Sequence, residues 1–294
     1  MALDTIVTGS KLTALANAIR TKGGTSAPLT LDGMAQAVAD IPTGGGGNNL
    51  LKNRLIGTNI PAYHYTVAAT DFITNEEARQ ANIFELPVAA FAFDQNVEAI
   101  EVPAWVTSLN DGTFAGCANL ESLTFAGSIN QIRSYSSISG FQGGTPITYC
   151  GSLTSLSIPL QNNGSVSIYS TTVSYCSNLE KLTLTGTPSQ ISFNSAGLAT
   201  YCTSLEEVQI CDGLVNLGAA YARALAGCSA MKRLILFNTT VPTLPSTSLF
   251  DYTAGGAPAS FEGIYVVDAL VDEYKAATNW AGYASYIKPI SELV

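Results

Sequence analysis

The sequence predicts a β-rich solenoid, a stack of short parallel strands with a small α-helical N-terminal anchor and a helical C-terminal cap. The first observation is a recurring segment, Cys176-Ser-Asn-Leu179-Glu-Lys-Leu182-Thr-Leu184, of the form C-x-x-L-x-x-L-x-Φ with Φ apolar. It returns at Cys117/Leu120/Leu123/Phe125, Cys150/Leu153/Leu156/Ile158, Cys202/Leu205/Val208/Ile210 and Cys228/Met231/Leu234/Leu236. Weaker copies begin at Asp94 and Pro258, and successive first positions lie 23, 33, 26, 26, 26 and 30 residues apart, a period typical of stacked repeats. The second observation is composition: 47% hydrophobic with only 12% charged residues suits many buried strands and few surface helices.

Residues 1–43 differ from the rest and read as a helical anchoring module. Ser10 is a helix N-cap, and Leu12, Leu15, Ala16 and Ile19 then fall on one face until Gly23-Gly24 ends the pattern. A second short helix after Pro28 carries Met34, Val38 and Ile41 on one side. Two helices this small bury too little surface to stand alone. They therefore dock on the rest of the chain, on a copy or on another protein, with Leu12, Leu15, Ile19, Met34, Val38 and Ile41 as the candidate anchoring residues. Residues 44–49, Gly-Gly-Gly-Gly-Asn-Asn, form a flexible linker. Residues 50–93 are the N-terminal cap of the solenoid, in which Thr74-Asn-Glu-Glu77 opens a short helix.

Residues 94–267 form the coils. In each, L-x-Φ is a short strand whose Leu and Φ point inward while the alternate residues face out. Three positions before each ladder cysteine stands another residue for the core: Phe91 (before Asp94), Phe114, Ile147, Val173, Ala199 and Leu225. The outward pairs run Ala99/Glu101, Ser122/Thr124, Ser155/Ser157, Lys181/Thr183, Glu207/Gln209, Arg233/Ile235 and Gly263/Tyr265, so Lys181, Glu207 and Arg233 stack as a solvated charge ladder. Five of the six cysteines share one register and read as buried free thiols. Coils about 5 Å apart are also within disulfide reach. The sixth, Cys211, follows an inward isoleucine.

The segments 134–144, 167–175 and 191–201 are rich in Tyr, Ser and Gly, and Tyr149, Tyr175 and Tyr201 each precede a ladder cysteine, so their rings should stack. Two readings stay open. Stacked tyrosines can pack one edge of the solenoid, or, because an aromatic ring offers contact area at low entropic cost, they can meet a ligand. On the second reading the binding residues are Tyr135, Phe141, Tyr149, Tyr169, Tyr175 and Tyr201. Residues 268–294 close the stack: Ile264–Val267 is the last strand, Asp268 caps a helix with Leu270, Val271 and Tyr274, and Trp280, Tyr283 and Ile287 form an aromatic lid.

Several classes of function find no support. A net charge of −9 with 13 scattered Lys and Arg argues against nucleic acid. The sole histidine, His64, has no partner set for catalysis, and no G-x-S-x-G occurs. Cysteines lack the C-x-x-C spacing of a zinc site, and Gly44–Gly47 lacks the Lys-Ser/Thr of a phosphate loop. No carboxylate pair recurs on the sheet face as a glycosidase requires. Neither a secretory signal nor the ~20 apolar residues of a membrane span is visible. The expectation is a non-enzymatic protein without cofactor or metal.

Thr107–Phe125 in particular, with Phe114-Ala-Gly-Cys117-Ala-Asn-Leu120-Glu-Ser-Leu123-Thr-Phe125 at its end, resembles the repeat unit of BspA-like leucine-rich-repeat proteins, and the likeness runs from about residue 90 to 290. Residues 8–41 resemble the small helical N-terminal piece of tail and fibre proteins of phages of Gram-positive hosts. The resemblance implies binding rather than catalysis. It points to a virion fibre made in the host cytoplasm, joined to other virion proteins through its helices and recognising a host-surface glycan or protein, in which a homo-oligomer is compatible. The alternatives are a bacterial cell-surface adhesin, which would need an export signal and an anchor, and a polysaccharide-active enzyme, which would need clustered Asp or Glu.

Overall fold

The alternation that defines the repeat is visible residue by residue. In the strand Lys181–Thr185 the leucines Leu182 and Leu184 are buried while Lys181 and Thr185 are exposed. Leu182 pairs in parallel register with Leu156 on one side and Val208 on the other, and the same row continues through Leu234, Ile264 and Ile287. The computed structural model describes residues 65–133, 145–194, 197–218, 223–245, 249–250 and 256–293. The anchoring module, the linker, His64, Tyr135 and Phe141 lie outside the described residues.

Each coil does more than the repeat segment announces. Besides the strand carrying L-x-Φ, a second parallel sheet is formed by Ser108–Leu109, Gln131–Ile132, Ser165–Ile168, Gln190–Phe193 and Leu214–Asn216, and a third by Ile147–Thr148, Val173–Ser174 and Ala199–Thr200. Parts of the Tyr/Ser-rich segments, which read as inserts, are therefore strands: Val166, Ile168, Ile191 and Phe193 point inward from them. The core is enclosed by three faces. Phe91, Phe114, Ile147, Val173, Ala199 and Leu225 fill it from the third face, each at most 1% exposed. All six cysteines are free thiols and the five ladder members are buried. Their S–H groups find backbone carbonyls, as at Cys117 to Phe91 and Cys150 to Phe114, both 3.0 Å. In the first coil Asp94 takes the cysteine position, is buried, and accepts a hydrogen bond from the Tyr65 hydroxyl.

The ends depart from the repeat. At the start, Thr74 caps the helix Asn75–Gln80 by accepting from the Glu77 N–H at 3.2 Å, while Glu77 accepts from the Thr74 N–H at 2.8 Å. The first face is interrupted between Ser122–Phe125 and Ser155–Pro159, where the 33-residue spacing falls, and Phe125 is left half-buried although its equivalents Ile158, Leu184 and Ile210 are buried.

The C-terminal expectations need correction. Gly263–Val266 is not the last strand, because Ile287–Pro289 adds one more in parallel. The α-helix there is the short Val271–Ala276, and Asp268 does not cap it but accepts from the Ser291 N–H at 3.1 Å. Trp280, Tyr283 and Ile287 are buried as a lid should be. The outward positions Ile235, Gly263 and Tyr265 are buried, not exposed. The cause is the returning chain: the Tyr286 carbonyl approaches Gly263, and the Lys288 ammonium lies 5.7 Å from the Tyr265 ring centre.

Candidate functional site

At the corner between the third face and the ladder cysteine the chain turns through one left-handed residue. That residue is Phe93, Gly116, Tyr149, Tyr175, Tyr201 and Gly227 in successive coils, with φ of 60°, 69°, 56°, 52°, 55° and 70°. Five of the six donate their N–H across to the next coil: Phe93 to Ala115, Gly116 to Thr148, Tyr149 to Ser174, Tyr175 to Thr200 and Tyr201 to Ala226, at 2.7–3.1 Å. A left-handed tyrosine or phenylalanine costs of order 1–3 kcal/mol and persists where surroundings fix it. Here the repeated cross-coil bond does so.

Equal backbone geometry on coils one strand-spacing apart brings the rings face to face. Tyr149 and Tyr175 stack at 4.8 Å and 12°, Tyr175 and Tyr201 at 4.9 Å and 11°. The column stays on the surface, with Phe93 63%, Tyr149 56%, Tyr175 43% and Tyr201 41% exposed. Just inside it a hydroxyl row runs along the third face, where the Ser174 hydroxyl donates to the Thr148 hydroxyl at 2.8 Å. The two glycine positions are seats for rings: a β-carbon at Gly116 would stand 2.5 Å from Phe93, and one at Gly227 2.5 Å from Tyr201.

Of the residues expected to meet a ligand, the structure thus unites Tyr149, Tyr175 and Tyr201. Tyr169 is exposed but follows the second-face strand Ser165–Ile168 and sits at a different corner. Sequence reasoning missed Phe93 and Gly116. The signal was available, because both occupy the position before the first member of a repeat, as the three tyrosines do.

The charge ladder has the predicted order. The Glu207 carboxylate binds the Lys181 ammonium at 2.8 Å and the Arg233 guanidinium at 2.9 Å. Burial opposes ionisation of Glu207, but Lys181, Gln209 and Arg233 outweigh it and hold the carboxyl below its usual range. Every acceptor lone pair that matters is engaged, so this is a register device on a sheet face. A surface groove lined by Pro188, Asp212, Leu214, Thr239 and Val241 is likewise a structural turn. Asp212 accepts from the Gly213 N–H at 2.7 Å and the Thr239 N–H at 3.0 Å, as Asn162 accepts from the Thr187 N–H at 2.8 Å two coils earlier. Burial raises and these N–H groups lower the Asp212 pKa, with a net fall.

Among the described residues no group of three or more His, Cys, Asp or Glu is placed to hold a metal, and no helix is long and apolar enough to cross a membrane. What the tyrosine column offers chemically is a row of ring edges and phenol hydroxyls ending in one unstacked ring face, which is equipment for binding.

A family model described as the BspA type leucine rich repeat region matches residues 84–232 in six copies. The match ends before the last coils, short of residue 290, where the chain departs from the repeat. No curated protein matches the chain.

Proposed function

Since this chain belongs to the BspA-type leucine-rich-repeat family, we propose that it is a non-enzymatic recognition protein that carries its binding surface on the tyrosine corner of the solenoid. The observation that supports this most is the exposed stack of Tyr149, Tyr175 and Tyr201. Large rings held in a strained conformation on the surface contribute little to a core, whereas rigid aromatic contact area is what recognition sites use.

The setting we propose is a virion of a phage of a Gram-positive host. The protein is a tail fibre or other fibre, made in the host cytoplasm, with the helical module of residues 1–43 joined to other virion proteins and the solenoid facing a glycan or protein of the host surface. The test has two parts. Labelled antibody against the chain should decorate purified particles; labelling of the bacterial envelope instead would move the protein to a cell-surface adhesin. The purified full chain should attach to host cells, and replacing Tyr149, Tyr175 and Tyr201 together with Ser should abolish attachment while thermal unfolding stays cooperative. Undiminished attachment would place the binding surface elsewhere.

A further inference from the structure

The tyrosine stack has two unlike ends. At one, the ring of Tyr201 rests on the main chain of Gly227. At the other, Tyr149 is stacked by Tyr175 alone, and the coil on its opposite side holds Gly116, so no β-carbon stands there. One coil further, Phe93 leans over the same glycine. Phe93 and Tyr149, the two most exposed large apolar side chains among the described residues, therefore border one coil position that has no side chain of its own. A neutral amide reaches it: the Gln95 Nε2 donates to the Gly116 carbonyl at 2.5 Å, and Asn119 Nδ2 ties down the Gln95 carbonyl at 2.6 Å.

On the reading of this corner as a recognition surface, we infer that the position at Gly116 is a subsite for a neutral pyranose, seated with the axial C–H bonds of one sugar face against the ring of Tyr149. The face of an aromatic ring carries the negative end of its quadrupole and attracts such polarised hydrogens. Sugar hydroxyls need amide and water partners rather than charges, and the six column residues and Gln95 carry none. An aromatic side chain of a protein partner would favour a dry pocket. The flanking rings here are more than half exposed, which a hydroxylated sugar edge tolerates.

The experiment uses the full chain with cellotriose, chitotriose and lactose as probes, read by saturation transfer from the protein to sugar C–H protons and by titration of tyrosine resonances. At least one probe should bind through its axial hydrogens. Tyr149→Gly, which installs the residue already used at 116 and 227, should weaken binding at least about tenfold. The double variant Phe93→Gly/Gly116→Tyr, which fills the position with a further stacked ring, should abolish it, and this variant decides the matter if Tyr149→Gly does not fold. Binding unaffected by these changes overturns the subsite. So does a chain that attaches to cells yet binds none of the sugars, or that binds N-acetyl-tyrosine amide in their place. A chain that attaches to no cell and binds no sugar overturns the recognition role itself.

Discussion

The Cδ1 atom of Tyr201 lies 2.5 Å from the point where a β-carbon on Gly227 would stand. The ring and the glycine are neighbours in one surface column, and the residue at 227 is left-handed with φ of 70°. Two independent constraints thus coincide at Gly227: the backbone conformation disfavours a side chain, and the ring above it leaves no room.

Gly227→Ala should therefore destabilise the protein by about 1–3 kcal/mol. Gly151→Ala is the control, since a β-carbon there meets only the Ala118 carbonyl at 3.8 Å, and its effect should stay within about 0.5 kcal/mol. Thermal unfolding of both variants checks the pair. Equal effects would mean that the ring does not rest on Gly227.

The thiols should divide into two classes. Burial, with the Asp212 charge beside it, pushes half-buried Cys211 up to about 11. Contacts with the Cys150 and Cys202 thiols, together with burial, raise Cys176 well above its usual value. Iodoacetamide near pH 8, close to the ordinary thiol range of about 8.5, should modify Cys211 slowly and the ladder cysteines only after unfolding. The rate at Cys211 should climb as pH approaches about 11. Because these folded-state values lie above the unfolded ones, the associated stability is complete below the unfolded thiol pKa and is lost as pH rises through the folded values. Peptide mapping of the alkylated protein settles which thiols react.

Glu207 has the opposite sign. Its carboxyl is held below the usual 4.5, so the stability it brings is present above that value and disappears as pH falls through the folded-state pKa. With Lys181 49% exposed the pair is screened, and Glu207→Gln should cost only about 1 kcal/mol near neutral pH. Urea unfolding at several pH values should show the difference between wild type and variant shrinking toward zero in acid and narrowing with added salt.

Tyr274 is fully buried, and its hydroxyl has no hydrogen-bond partner among the described residues. Burial pushes its phenol pKa upward. The ring packs edge-on to Trp280 at 5.2 Å and would be kept by phenylalanine. Tyr274→Phe should thus leave stability unchanged or raise it by about 1 kcal/mol, as removal of an unpaired buried polar group does. A loss of 2 kcal/mol or more would show that the hydroxyl is satisfied after all.

Much of this architecture was readable from residue order alone because its causes are local. Leu182 and Leu184 alternate with Lys181 and Thr183, and a strand turns alternate residues to one side whatever lies beyond it. The uniform 26-residue steps from Cys150 to Cys228 put like on like, so the buried thiols, the Lys181–Glu207–Arg233 order and the stacking of Tyr149, Tyr175 and Tyr201 all followed. The second and third faces were obscured for a compositional reason. Ser-Val-Ser-Ile at 165–168 and Gln-Ile-Ser-Phe at 190–193 alternate as strands do, yet their serines and neighbouring tyrosines resemble loop.

What the sequence by itself determined is the repeat: its period, the residues that point inward, and the fact that equivalent side chains pile up. The tertiary structure alone decided where the chain turns. The left-handed corner that seats Phe93 and Gly116 in the tyrosine column is held by hydrogen bonds from one coil to the next, and Ile235 and Tyr265 are covered by a strand that returns from residues 287–289. A periodic pattern records which side of a strand is apolar; it carries no term for contacts between residues a whole coil apart, and those contacts set both the corner and the burial of the outer face.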